Sequence, residues 1–214
     1  MKTLIQLSVL AIMTLGLSSC DPFEGILKTK NTFTVVSTEK QSNCGYDGNT
    51  YGCEQKVNIR IPVGDQNAKL DFVGRDQIQI TTNINGRKTY INMALPRNLN
   101  VPDNGAFEIS ARDLGQSFSA KGGSATNISD SQSFRGYEQC TYTRYVVECN
   151  VINNQQVCRE VPRTVYGQQY VEYFNRVTTK NLNVNFVDTT TVLATFNGSR
   201  SSSQKIYQMK NQCF

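Results

Sequence analysis

The sequence predicts an all-β protein, either an antiparallel β-sandwich or a flattened barrel, that carries a long disulfide-linked β-hairpin. Apolar and polar residues alternate in several segments, for example in Val57-Asn58-Ile59-Arg60-Ile61, and a period of two is typical of half-buried strands. The turn signal Asn85-Gly86 joins two such segments. After the N-terminal leader, no window shows a helical stripe of about ten residues or more.

The N-terminal residues have the features of an export signal. Lys2 gives a short cationic start, and an apolar stretch follows from Leu4 to Leu17. At roughly 14 residues, this stretch is shorter than the ~20 residues that span a bilayer as a helix. We therefore expect residues 1–19 to be a signal peptide rather than a permanent anchor.

The end of this stretch, Leu17-Ser18-Ser19-Cys20, resembles the lipobox of bacterial lipoproteins. The resemblance implies a diacylglycerol thioether on Cys20, cleavage before Cys20 by the lipoprotein signal peptidase, and acylation of the new amino group. Two or three acyl chains anchor a protein stably, whereas one chain does not. An ordinary secretory leader is the alternative interpretation.

The resemblance implies a membrane-anchored, periplasm-facing envelope protein. Asp21 is similar to the signal that retains lipoproteins at the inner membrane in enteric bacteria, but inner and outer membrane both stay open. The expected mature chain is a single all-β domain over 20–214, with a tether over 20–31 and a long ribbon over 134–174.

Cysteine spacing suggests three structural disulfides once the chain is exported to an oxidising compartment. Cys44 and Cys53 enclose turn-forming residues, and Cys149 and Cys158 flank Asn153-Asn154, so each pair faces across a turn. This leaves Cys140 to bond Cys213. The chain has no histidine and no Cys-x-x-Cys, which disfavours zinc and redox chemistry.

Further strands are predicted from alternation, and two polar segments are predicted to interrupt them. Folding about Asn85-Gly86 should pair Ile80 with Ile91 and Ile78 with Met93. Residues 117–133, rich in Ser, Thr, Asn and Gly, are predicted to form a long loop, and residues 199–203 to form a polar break. The other predicted strands contain Leu70-Phe72, Phe107-Ile109, Leu182-Phe186 and Val192-Phe196.

The ribbon over 134–174 is the predicted binding element, because Tyr and Arg are enriched among interface hot spots. If Cys149 faces Cys158, Tyr145 and Tyr166 share one face of it. An ion pair is expected between Glu148 and Arg159, which would lie opposite each other. Alternatively, the tyrosines only cover the sheet. The candidate partner-binding residues are Tyr142, Tyr145, Glu148, Arg159, Arg163 and Tyr166.

The amino-acid composition disfavours several classes of function. Without histidine the commonest general base and the commonest metal ligand are missing, and we predict no catalytic residue, metal or cofactor. The net charge of +5 comes from residues that are dispersed along the chain, so nucleic-acid binding is not predicted either. We expect non-catalytic binding of a protein or cell-wall partner, including as an inhibitor of an envelope-degrading enzyme. Alternatives are a structural assembly subunit or a polysaccharide hydrolase using two of Asp65, Asp71, Asp76, Asp113, Glu148 and Glu160.

Overall fold

The computed structural model describes residues 21–40, 54–74, 76–96, 101–153 and 155–214. Most of them lie in antiparallel strands, which confirms the predicted all-β class. The predicted signal peptide, Cys20 and the Cys44–Cys53 pair lie outside the described residues. The elements are β1 (Phe23–Thr29), β2 (Phe33–Lys40), β3 (Glu54–Ile61), β4 (Gly64–Val73), β5 (Gln77–Ile84), β6 (Arg87–Ala94), β7 (Gly105–Ile109), α1 (Ala111–Leu114), β8 (Ser119–Asp130), β9 (Phe134–Ile152), β10 (Gln155–Asp188) and β11 (Thr191–Lys210).

The main sheet curls into a half-barrel with the strand order β6-β5-β4-β1-β11-β10-β8-β7, and β9 extends it along β10. Strand β1 lies near the centre, paired with β4 on one side and β11 on the other. The predicted tether over 20–31 is therefore wrong over Phe23–Thr29. Phe23 and Leu27 are buried in the core, and this burial holds the segment in the sheet.

Strands β8 and β9 pair one after the other with the single long strand β10, and the three strands together form one very long hairpin. Ser119 pairs with Val187 at its open end, and Ile152 pairs with Gln155 at its closed end. The predicted loop over 117–133 is wrong, because residues 119–130 pair with β10 and residues 120–124 also pair with β7. Residues 131–133 form a bulge between β8 and β9, in which Ser131 N–H still donates to Asn175 C=O at 2.9 Å. Ion pairs flank this bulge, from Arg176 to Asp130 at 2.8 Å and from Arg135 to Glu172 at 2.8 Å.

Strand β11 runs unbroken along β10, and the predicted polar break over 199–203 is also wrong. These residues pair with residues 177–181 of β10. A ladder of backbone hydrogen bonds satisfies the polar groups of this serine-rich segment, so side-chain hydrophobicity is not needed to keep it extended.

A second sheet of β2 and β3 covers the open side of the half-barrel. Strand β2 also makes hydrogen bonds outside this sheet. The Gln116 side chain bonds Val36 N–H (2.8 Å) and C=O (2.7 Å), and Asn92 N–H of β6 donates to Ser37 Oγ (2.9 Å). The core between the sheets includes an aromatic cluster of Phe33, Phe118 and Phe186.

The β5–β6 hairpin confirms the register predicted around Asn85-Gly86. Ile80 lies opposite Ile91 and Ile78 opposite Met93, all four buried. Asn85 (φ 51°) and Gly86 (φ 78°) both have left-handed backbone, as a tight two-residue hairpin turn requires.

Candidate binding arm

The predicted ribbon extends beyond the rest of the sheet. We call residues 134–152 and 155–173 the arm, since Phe134 pairs with Tyr173 at its base and Ile152 with Gln155 at its tip. Between 141–152 and 155–166 these two strands pair with no other described strand. At ~3.3 Å per residue, this unaccompanied part is about 40 Å long.

The tip of the arm is fixed by a turn and a disulfide. Asn153 has a positive φ of 51°, a conformation that Asn adopts more readily than most residues. Cys149 and Cys158 lie directly opposite each other and are bonded, with a Cα–Cα distance of 4.0 Å. The predicted Cys149–Cys158 disulfide is therefore confirmed.

The C-terminal tail clamps the base of the arm. The predicted Cys140–Cys213 disulfide is confirmed, with a Cα–Cα distance of 6.0 Å. Beside it, Gln168 N–H donates to Phe214 C=O at 2.8 Å, and Phe214 N–H donates to Gln168 C=O at 3.1 Å. Gly167 allows this approach, because a Cβ there would lie 2.4 Å from the Phe214 carbonyl oxygen. The tail thus acts as a short third strand at the base.

A charged and aromatic cluster also braces the base. Lys205 Nζ lies 2.6 Å from Glu138 Oε1, the Tyr207 hydroxyl donates to Glu138 Oε2 at 2.9 Å, and Lys205 Nζ lies 4.0 Å from the Tyr173 ring centre. Hydrogen bonds from Lys205 and then Tyr207 lower the pKa of Glu138, and the bond to Glu138 raises the pKa of Lys205 and of Tyr207. Ionised Glu138 therefore links β9 to β11 across β10.

One face of the arm is exposed and almost uncharged. Tyr145 and Tyr166 lie on it, with 66% and 84% of their surface exposed. Between residues 139 and 168, Glu160 is the charged residue on this face of the arm. We call this surface the bare face, formed by Tyr145, Val147, Val151, Pro162, Tyr166 and the Cys149–Cys158 disulfide.

The opposite face is basic, and it separates the candidate binding residues into two groups. We call it the basic face, formed by Tyr142, Arg144, Glu148, Arg159 and Arg163. The six candidates do not converge, because only Tyr145 and Tyr166 lie on the bare face. Glu148 lies opposite Arg159 in register, but it forms its ion pair with Arg163. The predicted Glu148–Arg159 ion pair is therefore wrong. A long Arg side chain reaches diagonally along the same face.

The carboxylates considered for hydrolysis lie at the surface. Asp65, Asp76, Asp113 and Glu160 are exposed, and Asp71 and Glu148 are half-buried. Within the described ranges, no group of three or more Cys, Asp or Glu side chains is placed to hold a metal ion.

Comparisons with protein-family models, with curated proteins and with solved structures gave no significant match. In the described part of the chain, no helix has the length and hydropathy of a membrane span.

The bracing residues Lys205 and Tyr207 are absent from the sequence predictions. The alternation in Lys205-Ile206-Tyr207-Gln208-Met209 is a strand signal that could have identified this segment. Its partner Glu138 could not have been found in this way, because their contact depends on the register of β9, β10 and β11.

Proposed function

We propose that this chain is a lipid-anchored, periplasm-facing envelope protein that acts without catalysis, by binding a protein partner through the bare face of the arm. The observation that carries the proposal is a set of apolar side chains held in solvent on a braced two-stranded ribbon. Monomeric proteins rarely expose large contiguous apolar patches, and those that do often use them for binding.

The composition of the bare face suits a protein interface. Tyr145 and Tyr166 offer large rings with a polar hydroxyl, the combination that makes Tyr frequent at interface hot spots. Charged residues are depleted at interface centres, and Glu160 is the charge on this face. The basic face carries three arginines and Glu148, so the two faces would favour different partners.

The bracing supports a preorganised binding element. A two-stranded ribbon is marginally stable alone, yet here disulfides hold both its tip and its base. A ribbon already held in its bound shape loses less conformational entropy on association, and this improves affinity. A narrow, stiff projection also suits entry into a cleft, which is the geometry that inhibition of an envelope-degrading enzyme would use.

Lipidation is tested by metabolic labelling. Cells that express the chain are grown with labelled palmitate, and the protein is purified and analysed for label. We expect label on the wild-type protein and none on Cys20→Ser, and we expect globomycin to cause unprocessed precursor to accumulate. Wild-type protein without label would contradict the proposed anchor.

The bare face is tested by comparing two variants of the arm. The protein is crosslinked in its native cells, partners are identified by mass spectrometry, and binding of the purified partner is measured. Truncating hot-spot residues typically costs about 2 kcal/mol or more. We therefore expect Tyr145→Ala with Tyr166→Ala to weaken binding by at least about 30-fold, the cost of losing one such residue.

The control variant is Arg159→Ala, on the basic face of the same arm, which we expect to bind like wild type. All variants should keep the wild-type melting temperature. Equal binding by wild type and the double tyrosine variant would refute the role of the bare face, and loss with Arg159→Ala alone would move the interface to the basic face.

A structural assembly role is the second candidate, because both edges of the arm are open. Residues 141–152 and 155–166 each present an edge without a neighbouring described strand, and such edges can pair with a second chain. In the crosslinking experiment, this function would give a second copy of the chain as the partner. Light scattering of the purified protein would then report a dimer or larger species.

A further inference from the structure

A shallow trough crosses the outer surface of the main sheet, away from the arm. Two adjoining depressions of about 590 and 470 Å³ form it, and they meet where Ile26 of β1 lies opposite Asn197 of β11. The trough crosses seven neighbouring strands from β6 to β8, which at ~4.8 Å per strand gives a length of about 30 Å. From β5 to β8 its floor consists of Asn83, Asn67, Ile26, Asn197, Asn183 and Gly123, and Lys88 of β6 lies at the end beside Asn83.

The floor is uncharged from β5 to β8, and Lys88 of β6 adds one positive charge at its end. The other charges beside the floor form ion pairs. Glu24 pairs with Lys69 on one side. Flanking pairs on the other side are Lys28 with Asp65 at 4.0 Å and Lys121 with Glu108 at 3.0 Å. A polyanion or polycation would therefore find little net charge along most of the trough, whereas a neutral polar ligand brings no charge that would have to be desolvated without a partner.

Amide groups supply the hydrogen-bonding capacity of the floor. Asn183 donates to Asn197, and it accepts from the Asn185 amide at 3.3 Å, so these side chains have fixed orientations. Each Asn carries two N–H donors and one carbonyl acceptor, more than these contacts use. Asn67 and Asn83 make no side-chain hydrogen bond to another described residue. The floor can thus bond a ligand at several points along its length.

We propose that the trough binds a neutral, unbranched glycan strand that carries N-acetyl groups. A trough of this length suits an extended polymer, and a single lysine at one end provides too little positive charge to favour nucleic acid or another acidic chain. The amides match the hydroxyl and acetamido groups of such a sugar, because each can donate and accept. Ile26, 48% exposed at the centre, offers an apolar contact for an acetyl methyl group. This inference concerns a surface separate from the arm and does not depend on the arm's partner.

The test is titration calorimetry of the mature chain with a hexamer of N-acetylglucosamine. We expect binding by wild type and weaker binding of the dimer, which fills less of the trough. Asn183→Ala with Asn197→Ala should weaken hexamer binding about tenfold, from the loss of two hydrogen-bonding side chains. The matched control Asn58→Ala, exposed on β3 in the second sheet, should bind like wild type.

A second pair of substitutions, Asn67→Ala with Asn83→Ala, covers the case in which the first pair perturbs folding, since these side chains support no described hydrogen bond. The proposal is overturned if wild type does not bind the hexamer, or if folded variants of both pairs bind as tightly as wild type. Equal binding of a glucose hexamer that lacks acetamido groups would overturn the N-acetyl specificity. Preferential binding of a neutral peptide would overturn the glycan assignment.

Discussion

Phe118→Ala is expected to lower the free energy of unfolding by about 3–5 kcal/mol, the usual cost of truncating a buried Phe. The Phe118 ring packs edge-on against Phe33 at 5.3 Å and against Phe186 at 5.7 Å between ring centres, and it is 1% exposed. Phe33 belongs to the second sheet and Phe186 to the main sheet. Removing the ring would therefore open a cavity at the contact that holds the two sheets together.

The measurement is urea unfolding of wild type and variant under oxidising conditions, which keep the disulfides intact in both. Ile128→Ala is the control, because Ile128 lies on β8 and is 62% exposed. It should change the free energy of unfolding by no more than about 0.5 kcal/mol. A similar small effect for Phe118→Ala would mean that the aromatic cluster does not join the sheets.

Gly25→Ala is expected to destabilise the protein by about 3 kcal/mol, through a steric clash rather than a cavity. A Cβ on residue 25 would lie 1.9 Å from the Asn197 carbonyl oxygen and 2.5 Å from the Gly198 Cα. Both atoms belong to the backbone of β11, so no side-chain rotation can relieve the overlap. The β1–β11 ladder would have to separate locally, at the centre of the main sheet.

Gly123→Ala is the matched control for this change. Gly123 also lies inside a strand, and its added Cβ would meet the Gly105 carbonyl oxygen at 3.5 Å, an ordinary contact. We expect a change within about 1 kcal/mol, since Ala also reduces the entropy of the unfolded chain. The same denaturation series measures both variants. Equal stability of the two would refute the tight approach of β1 and β11.

Local signals in the sequence were enough to predict the hairpin elements. Asn85-Gly86 sets the turn and so the pairing of Ile80 with Ile91, and Asn153 between Cys149 and Cys158 does the same at the tip of the arm. In these cases the turn, the alternation and the cross-strand partner lie close together in the chain, so one pattern specifies all three.

The failed predictions involve distant partners. Residues 119–130 have the composition of a loop, yet small residues are needed there: a Cβ on Gly122 would lie 2.4 Å from the Phe107 ring. Strand β1 pairs with β11, far away in the chain, and no local pattern identifies that partner. Period-two alternation was enough to assign residues to the two faces of the arm. It could not predict the Glu148–Arg163 ion pair, because that contact depends on how far the Arg163 side chain extends along the face.

The position of β1 also determines where the N-terminal end of the described chain lies relative to the arm. Phe23 is at the end of β1 that faces the arm, since Glu24 lies opposite Ser199 and β11 continues from there to the base of the arm. Arg200 contacts both the Asp21 carbonyl oxygen at 3.3 Å and the Phe23 ring at 4.6 Å, which fixes the chain close to where it would leave Cys20. If Cys20 carries the proposed lipid, the chain would leave the membrane at the end of the sheet from which the arm extends, close to the base of the arm.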